Sequence, residues 1–382
     1  MRDLVPLARF HGLVATGLRD VTADPAALDS AGFWAVVADF EGRVRCARFA
    51  DVRRLPRSGI GPDTGAAAAA RAAHWRGPDA AAWTSSLDRG AYESGVRAIR
   101  ARIAAGDVYQ VNLCRVLRAP LPAGPGGGAP DVDALAAVLE LGNPAPYAAT
   151  VRLPAHGVEV ATASPELFLR RSGTTVESGP IKGTAPTADD FLPKDHAENV
   201  MIVDLVRNDL GRVCTTGSVT VPALCAVEPH PGLTHLVSTV RGELRPGAGW
   251  PELLAAAFPP GSVTGAPKSS ALRVIGELET APRGPYCGAV GWVDADRRTA
   301  ALAVGIRTFW IGRDAAGRPE LRFGTGAGVT WGSDPAGEWE ETELKARRLL
   351  AVASEVAGPQ PSRENGAGAG GTNDSGSGRT QR

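Results

Sequence analysis

The order in which strand-like and helix-like segments follow one another constrains this chain most. Between an alanine-rich tract at Gly61 to Ala73 and a Gly/Ser-rich end at Gly358 to Arg382, the two patterns alternate irregularly, and strands often succeed one another directly. A doubly wound parallel sheet needs a helix in each crossover, so the missing helices predict an α+β fold instead. With 382 residues, 43% of them hydrophobic, the chain can bury a large core as one big domain or two smaller ones. Gly61 to Ala73 and the Pro/Gly-rich Ala119 to Pro130 read as punctuation, and Gly358 to Arg382 as a disordered tail. No repeat at solenoid periods is present.

Charge narrows the partners. The 41 basic residues balance 41 acidic ones, which argues against nucleic acid or an anionic membrane as the main partner, so any basic site must be local. The start, Met1 to Pro6, lacks the apolar core of a leader, and no 18-residue apolar run occurs, so a soluble cytoplasmic protein is expected. Cys46, Cys114, Cys214, Cys225 and Cys287 are odd in number, widely spaced and without a Cys-x-x-Cys pair. Buried free thiols are expected rather than disulfides or a zinc site.

Only four of the 41 basic residues are lysine: Lys182, Lys194, Lys268 and Lys345. Where a bare positive charge suffices this chain uses arginine, so each lysine is a candidate for chemistry that needs an amine. An amine can lose its proton and attack carbon; a guanidinium effectively cannot. Lys182 sits in a tight loop, Ser178-Gly179-Pro180-Ile181-Lys182-Gly183-Thr184, and the loop taken alone favours a solvated turn lysine.

Tyr92, Val96, Ile99 and Ile103 form one apolar stripe on a helix ending near Gly106. In the strand Val108 to Leu113, the period of two puts Gln110 and Asn112 on one face, either a solvent-facing surface or two amides aimed into a site. A helix from about Asp195 to Leu210, closed by Gly211, places Glu198, Ile202, Leu205 and Asp209 on one face, and a carboxylate on a buried face needs a partner. Another helix starts at Asp334-Pro335 and carries Glu338, Glu341 and Lys345, a spacing that taken alone favours an exposed ion-pair ladder. Gly324 to Gly328 misses the dinucleotide fingerprint because Val329 stands where glycine is required. Gly261 to Ser269 misses the P-loop because Lys268 follows proline. Both loops can offer backbone N–H groups to a carboxylate, which favours a small acidic substrate over a nucleotide.

Six strings in order carry a resemblance: Gly106 to Leu113, Ala163 to Leu167, Pro180 to Thr184, Glu198 to Gly211, Pro260 to Lys268, and Gly324 to Lys345. They resemble the chorismate-utilising enzymes, which include anthranilate synthase component I, aminodeoxychorismate synthase component I, and isochorismate and salicylate synthases. The likeness implies a single large α+β domain, two antiparallel β-sheets packed face to face with helices outside. It assigns residues 88–357 to a chorismate-binding catalytic core, leaves 1–87 as a poorly matched N-terminal part of the fold, and leaves 358–382 as tail.

The same resemblance implies roles. Glu198 and Glu341 match the family's Mg²⁺ ligands, with Glu338 supporting them from one turn earlier. Arg307 and Tyr286 match the grip on the enolpyruvyl carboxylate, helped by backbone around Gly326 and Gly328. Lys345 faces substrate carboxylates, Gly183, Thr184 and Thr264 fall in substrate-binding strings, and His235 matches a histidine near the C4 oxygen. Members that add water at C2 carry a lysine base where this chain has Gln110, which disfavours hydroxylation. Members that make anthranilate usually carry alanine at the position of Lys182, whereas aminodeoxychorismate synthases resemble this chain in carrying lysine. In that reading the Lys182 amine attacks C2 as the C4 hydroxyl departs, Glu166 is the general acid, and ammonia then adds at C4 and displaces the lysine. Glu166 must be available protonated, which predicts a raised pKa.

No Gly-x-Cys-x-Gly elbow of a glutamine amidotransferase is present, so a separate glutaminase subunit is expected to supply ammonia, and a separate aminodeoxychorismate lyase to act downstream. The Leu-Leu-Glu-Ser element of tryptophan feedback is absent too. Anthranilate synthase component I remains the enzymatic alternative, opposed by Lys182 and that absence. A catalytically silent chorismate-binding subunit is the other, opposed by Lys182, Glu166, Glu198, Glu341 and Arg307 standing together.

Overall fold

The computed structural model describes residues 4–55, 62–185, 187–230 and 233–354, so the tail lies outside the described residues. All strand pairings among them are antiparallel, and they join 18 strands into one hydrogen-bonded ribbon. From one end, the order runs Gln110–Pro120, Pro319–Val329, Thr308–Arg313, Val158–Ser164 and Tyr147–Leu153. It continues through Leu7–Phe10, Leu13–Thr22, Val44–Arg54 and Phe33–Ala38. It then passes to Ala289–Asp294, Thr299–Val304, Leu167–Ser172, Thr175–Gly179 and Leu233–Glu243. The last of these also carries Ile181–Ala185 and Thr220–His230. The two expected sheets are thus halves of one ribbon, enclosing a shared core that takes Val111 and Leu113 from one half and Phe168, Val176 and Val240 from the other. The N-terminal strands, which the motifs left unplaced, are the middle of the ribbon.

A break in two neighbouring strands shapes the site. Ser164-Pro165-Glu166 separates Val158–Ser164 from Leu167–Ser172, because proline has no N–H to give the ladder. At the same level Gly305 to Arg307 separates the partner strands, with Arg307 held at φ +51°. Val304 N donates to Glu166 O at 3.0 Å and Ala163 N to Arg307 O at 3.0 Å, so the two breaks lie side by side.

The expected helices form. Arg89–Ala104 buries Tyr92, Val96 and Ile99, leaves Ile103 half-buried, and is capped by Asp88, whose Oδ1 accepts from Ala91 N at 2.8 Å. Pro193–Gly211 begins just before the expected start, and Pro335–Ser354 is capped by Asp334 as anticipated. Its far end is fixed by Trp75, which donates Nε1–H to Ala353 O at 2.8 Å. The alanine tract corrects the reading from sequence. It is not punctuation but a helix, Pro62–Ala72, since alanine is the strongest helix former and Pro62 suits the first turn. Its Arg71 reaches Asp133 and Glu140 of the helix Val132–Gly142, at 3.3 and 2.7 Å. Ala119 to Pro130 is a strand end followed by a short 3₁₀ turn, and all five cysteines are free. Among the described residues no helix is long and apolar enough to cross a membrane.

Candidate active site

The two ends of the ribbon meet at Lys182. Its strand closes one end, and Gly183 beside it takes φ +83°, a left-handed conformation open to glycine. The half-buried Lys182 Nζ donates to Ser262 O at 3.2 Å, a carbonyl in the turn that leads into Gly265–Ala266, which pairs with Gln110 and Val111 at the other end. Opposite stands Gly328. A Cβ there would lie 2.3 Å from Gln110 Nε2, so a side chain would push that amide aside, and 3.9 Å from Lys182 Nζ, an ordinary contact. Gln110 and Asn112 are 2% and 8% exposed, which rules out the solvent-facing alternative for their strand. Gln110 Oε1 has no hydrogen-bond partner among the described residues, an acceptor left for a ligand.

Glu166 is 4% exposed, and its carboxyl is pushed up to about 7. Burial is the cause, opposed by the nearby Ser262 hydroxyl, the Lys182 ammonium and the Ile181 backbone. Ser262 Oγ makes no hydrogen bond of acceptable geometry to the carboxyl or to any other described group. His235 is buried on the strand Leu233–Glu243, its backbone paired with Thr184 and Glu228.

Arg307 is half-buried, which lowers its pKa, and among the described residues no side chain hydrogen-bonds or ion-pairs with its guanidinium. A cation with its solvation reduced and no carboxylate beside it is built to receive an anion. Tyr286 is 5% exposed, and a Cβ on Gly324 would collide with its ring at 2.0 Å. Gly326 presses on the next strand, where a Cβ would meet Cys114 Sγ at 2.5 Å. Thr264 and Lys345 both bond to protein groups. Thr264 is fully buried and its Oγ1 donates to Pro260 O and Gly261 O, both at 3.2 Å, so its hydroxyl braces its own turn. Lys345 is exposed, with Nζ 2.7 Å from Glu341 Oε1 and 3.1 Å from Gly326 O.

Carboxylates from two helices share one neighbourhood. Glu338 is raised above the ordinary carboxylate range mainly by burial; a hydrogen bond from Ser333 Oγ at 2.5 Å opposes this, and the charges of Glu341 and Glu198 reinforce it. Among the described residues no group of three or more His, Cys, Asp or Glu stands ready to surround a metal. The donors that Glu338, Glu341 and Glu198 offer are hard carboxylate oxygens, the type that Mg²⁺ takes.

Sequence reasoning missed a buried hub. Arg283, 1% exposed, donates to Glu279 through Nε at 2.8 Å and Nη2 at 2.6 Å, to Val263 O at 2.8 Å and to Asn112 O at 2.7 Å. Its partners lie far apart in the chain, so local patterns carry no sign of it. Ser262 lies within Pro260 to Lys268, and a sequence carries no mark of which carbonyl will accept from Lys182. Asp209, the buried-face carboxylate, finds its partner in Lys268 at 2.6 Å.

The family model described as chorismate binding enzyme matches residues 53–351. Anthranilate synthase component 1 of Haloarcula marismortui is 40% identical over 292 residues, 73% of this chain and 57% of that protein. Aminodeoxychorismate synthase component 1 of Escherichia coli is 36% identical over 282 residues, 70% of this chain and 58% of that one. The matched stretch therefore spans little more than half the length of these relatives. Among solved structures, the menaquinone-specific isochorismate synthase of Escherichia coli aligns with TM-score 0.72 at 18% identity, covering 93% of this chain and 90% of its own. Anthranilate synthase component I of Streptococcus pneumoniae aligns with TM-score 0.67 at 23% identity, covering 84% and 81%. With an uninterrupted family match across most of its length and the same fold, this chain belongs to the chorismate binding enzymes.

Proposed function

We propose that this protein is an aminodeoxychorismate synthase component I, replacing the C4 hydroxyl of chorismate with an amino group. The observation that carries the reading is the Lys182 amine at the seam of the ribbon, near enough for its charge to act on the buried Glu166 carboxyl, which burial pushes up to about 7. The relatives divide between amination at C4 and anthranilate formation at similar identity, so the site chemistry has to discriminate. Lys182 favours C4 chemistry.

Arg307 and Tyr286 hold the enolpyruvyl carboxylate, and the Gln110 amide lies against the ring. Lys182, once deprotonated, forms a bond from Nζ to C2. The ring double bond shifts, the C4–O bond breaks, and Glu166 gives its proton to the departing hydroxyl, which leaves as water. Ammonia then attacks C4, the double bond shifts back, the C2–Nζ bond breaks, and a proton from the entering nitrogen returns to Glu166. His235 stands near the C4 oxygen. Glu198 and Glu341, supported by Glu338, would hold Mg²⁺, which when bound supplies a counter-charge for the ring carboxylate. Ammonia comes from a glutaminase partner, as the "component 1" in the relatives' names suggests. A separate lyase consumes the product, and the setting is cytoplasmic.

The test is product analysis with chorismate, Mg²⁺ and concentrated ammonium salt at mildly alkaline pH, with and without added aminodeoxychorismate lyase. 4-Aminobenzoate formed only with lyase supports the reading. Anthranilate formed without lyase overturns it in favour of anthranilate synthase component I.

A further inference from the structure

Three separate pieces of the site hang on one buried ion pair. Arg283 Nη2 donates to Asn112 O at 2.7 Å, and Glu279 Oε1 accepts from Cys114 N at 2.8 Å, so the pair grips the strand that carries Gln110. Arg283 Nη1 donates to Val263 O at 2.8 Å, next to Ser262, whose carbonyl holds Lys182. Three residues further along the chain stands Tyr286, packed on Gly324. The guanidinium itself lies 4.1 Å from the centre of the Phe40 ring. Glu41 accepts from Arg283 N at 2.7 Å and from Gly284 N at 3.2 Å, and Phe40 N donates to Gly284 O at 2.7 Å. A turn of the N-terminal strands thus clasps the segment that leads to Tyr286. Arg283 and Glu279 are 1% and 7% exposed in their side chains, so neither can reach a substrate.

We propose that Arg283, locked by Glu279 and clasped by the Phe40–Glu41 turn, is a positioning residue that sets Tyr286, the Ser262 turn and the Gln110 strand in mutual register for substrate binding. A guanidinium suits this task because its planar fork makes four directed bonds at once; an ammonium in the same place makes fewer and from a different centre. The inference rests on the pocket being the chorismate site but not on which product leaves it.

The experiment measures chorismate consumption and chorismate binding, so it reads the same whether the product is aminodeoxychorismate or anthranilate. Arg283→Lys and Glu279→Gln are compared with Trp75→Phe, a variant that removes a buried bond outside the Arg283 network, at the last turn of Pro335–Ser354. Arg283→Lys is expected to lose roughly 10- to 100-fold in kcat/KM, mostly through KM, at temperatures where it is fully folded. Trp75→Phe, brought to the same distance below its own Tm, should stay within about twofold of wild type. In a Tyr286→Phe background the loss from Arg283→Lys should shrink, because an effect delivered through Tyr286 cannot be lost twice. If Arg283→Lys does not fold, Glu279→Gln, which keeps the acceptor for Cys114 N, carries the same expectation. A folded variant with unchanged KM, or a loss that is fully additive with Tyr286→Phe, overturns the proposal.

Discussion

Glu166 binds its proton more tightly in the folded chain than in the unfolded one, at about 7 against an ordinary value of 4.5. Its contribution to stability is therefore present in full below pH 4.5 and is lost as the pH rises through 7. A Glu166→Gln variant should be more stable than wild type at pH 8 by up to about 3 kcal/mol and nearly equal to it at pH 4, as denaturant midpoints at the two pH values would show. The same variant should lose about 10²- to 10⁴-fold in kcat, since the amide has no acidic proton for the leaving hydroxyl. Equal stability differences at both pH values would mean that the carboxyl is hydrated in solution. Lys182→Ala should bind chorismate yet form no aminodeoxychorismate, and product made at an undiminished rate would remove covalent attack from the mechanism.

Helices carry the remaining charges, and their pairings set how firmly they sit. Asp209 on Pro193–Gly211 and Lys268 on Lys268–Leu278 are 10% and 18% exposed in their side chains. Lys268→Met leaves that carboxylate uncompensated and is expected to lower stability by about 3 to 5 kcal/mol in chemical denaturation, whereas a loss under about 1 kcal/mol would mark a solvated pair. Glu338→Gln should weaken Mg²⁺ binding about 10- to 100-fold by calorimetric titration, with the fold unchanged in circular dichroism. At this scale the sequence was largely readable. The stripe Tyr92, Val96, Ile99 gave one helix, and Glu198, Ile202, Leu205 and Asp209 gave the inward face of another. The alanine tract misled because it has no polar and apolar alternation, so composition outweighed propensity in reading it.

The ribbon as a whole was beyond local patterns. Periodicity identifies a strand, but which strand lies beside it is decided by contacts across the whole chain. Arg283 and Asn112, for example, are 171 residues apart. The motifs begin after the N-terminal region and gave it no role, yet the hydrogen-bonding path from Tyr147–Leu153 to Ala289–Asp294 runs through its four strands. A chain starting at residue 88 would expose both as open edges and is expected to be insoluble; soluble, monomeric material with wild-type chorismate affinity would contradict this. The meeting of the ribbon's two ends at Lys182 has a further consequence. Any small molecule seated between Lys182 and Gln110 fastens the first strand of the ribbon to the last, as a clasp fastens a bracelet. Its affinity then feeds directly into the melting temperature of the whole protein, by about 2.7 kcal/mol at a hundredfold excess over Kd, so thermal shift alone can find inhibitors without an assay for the reaction.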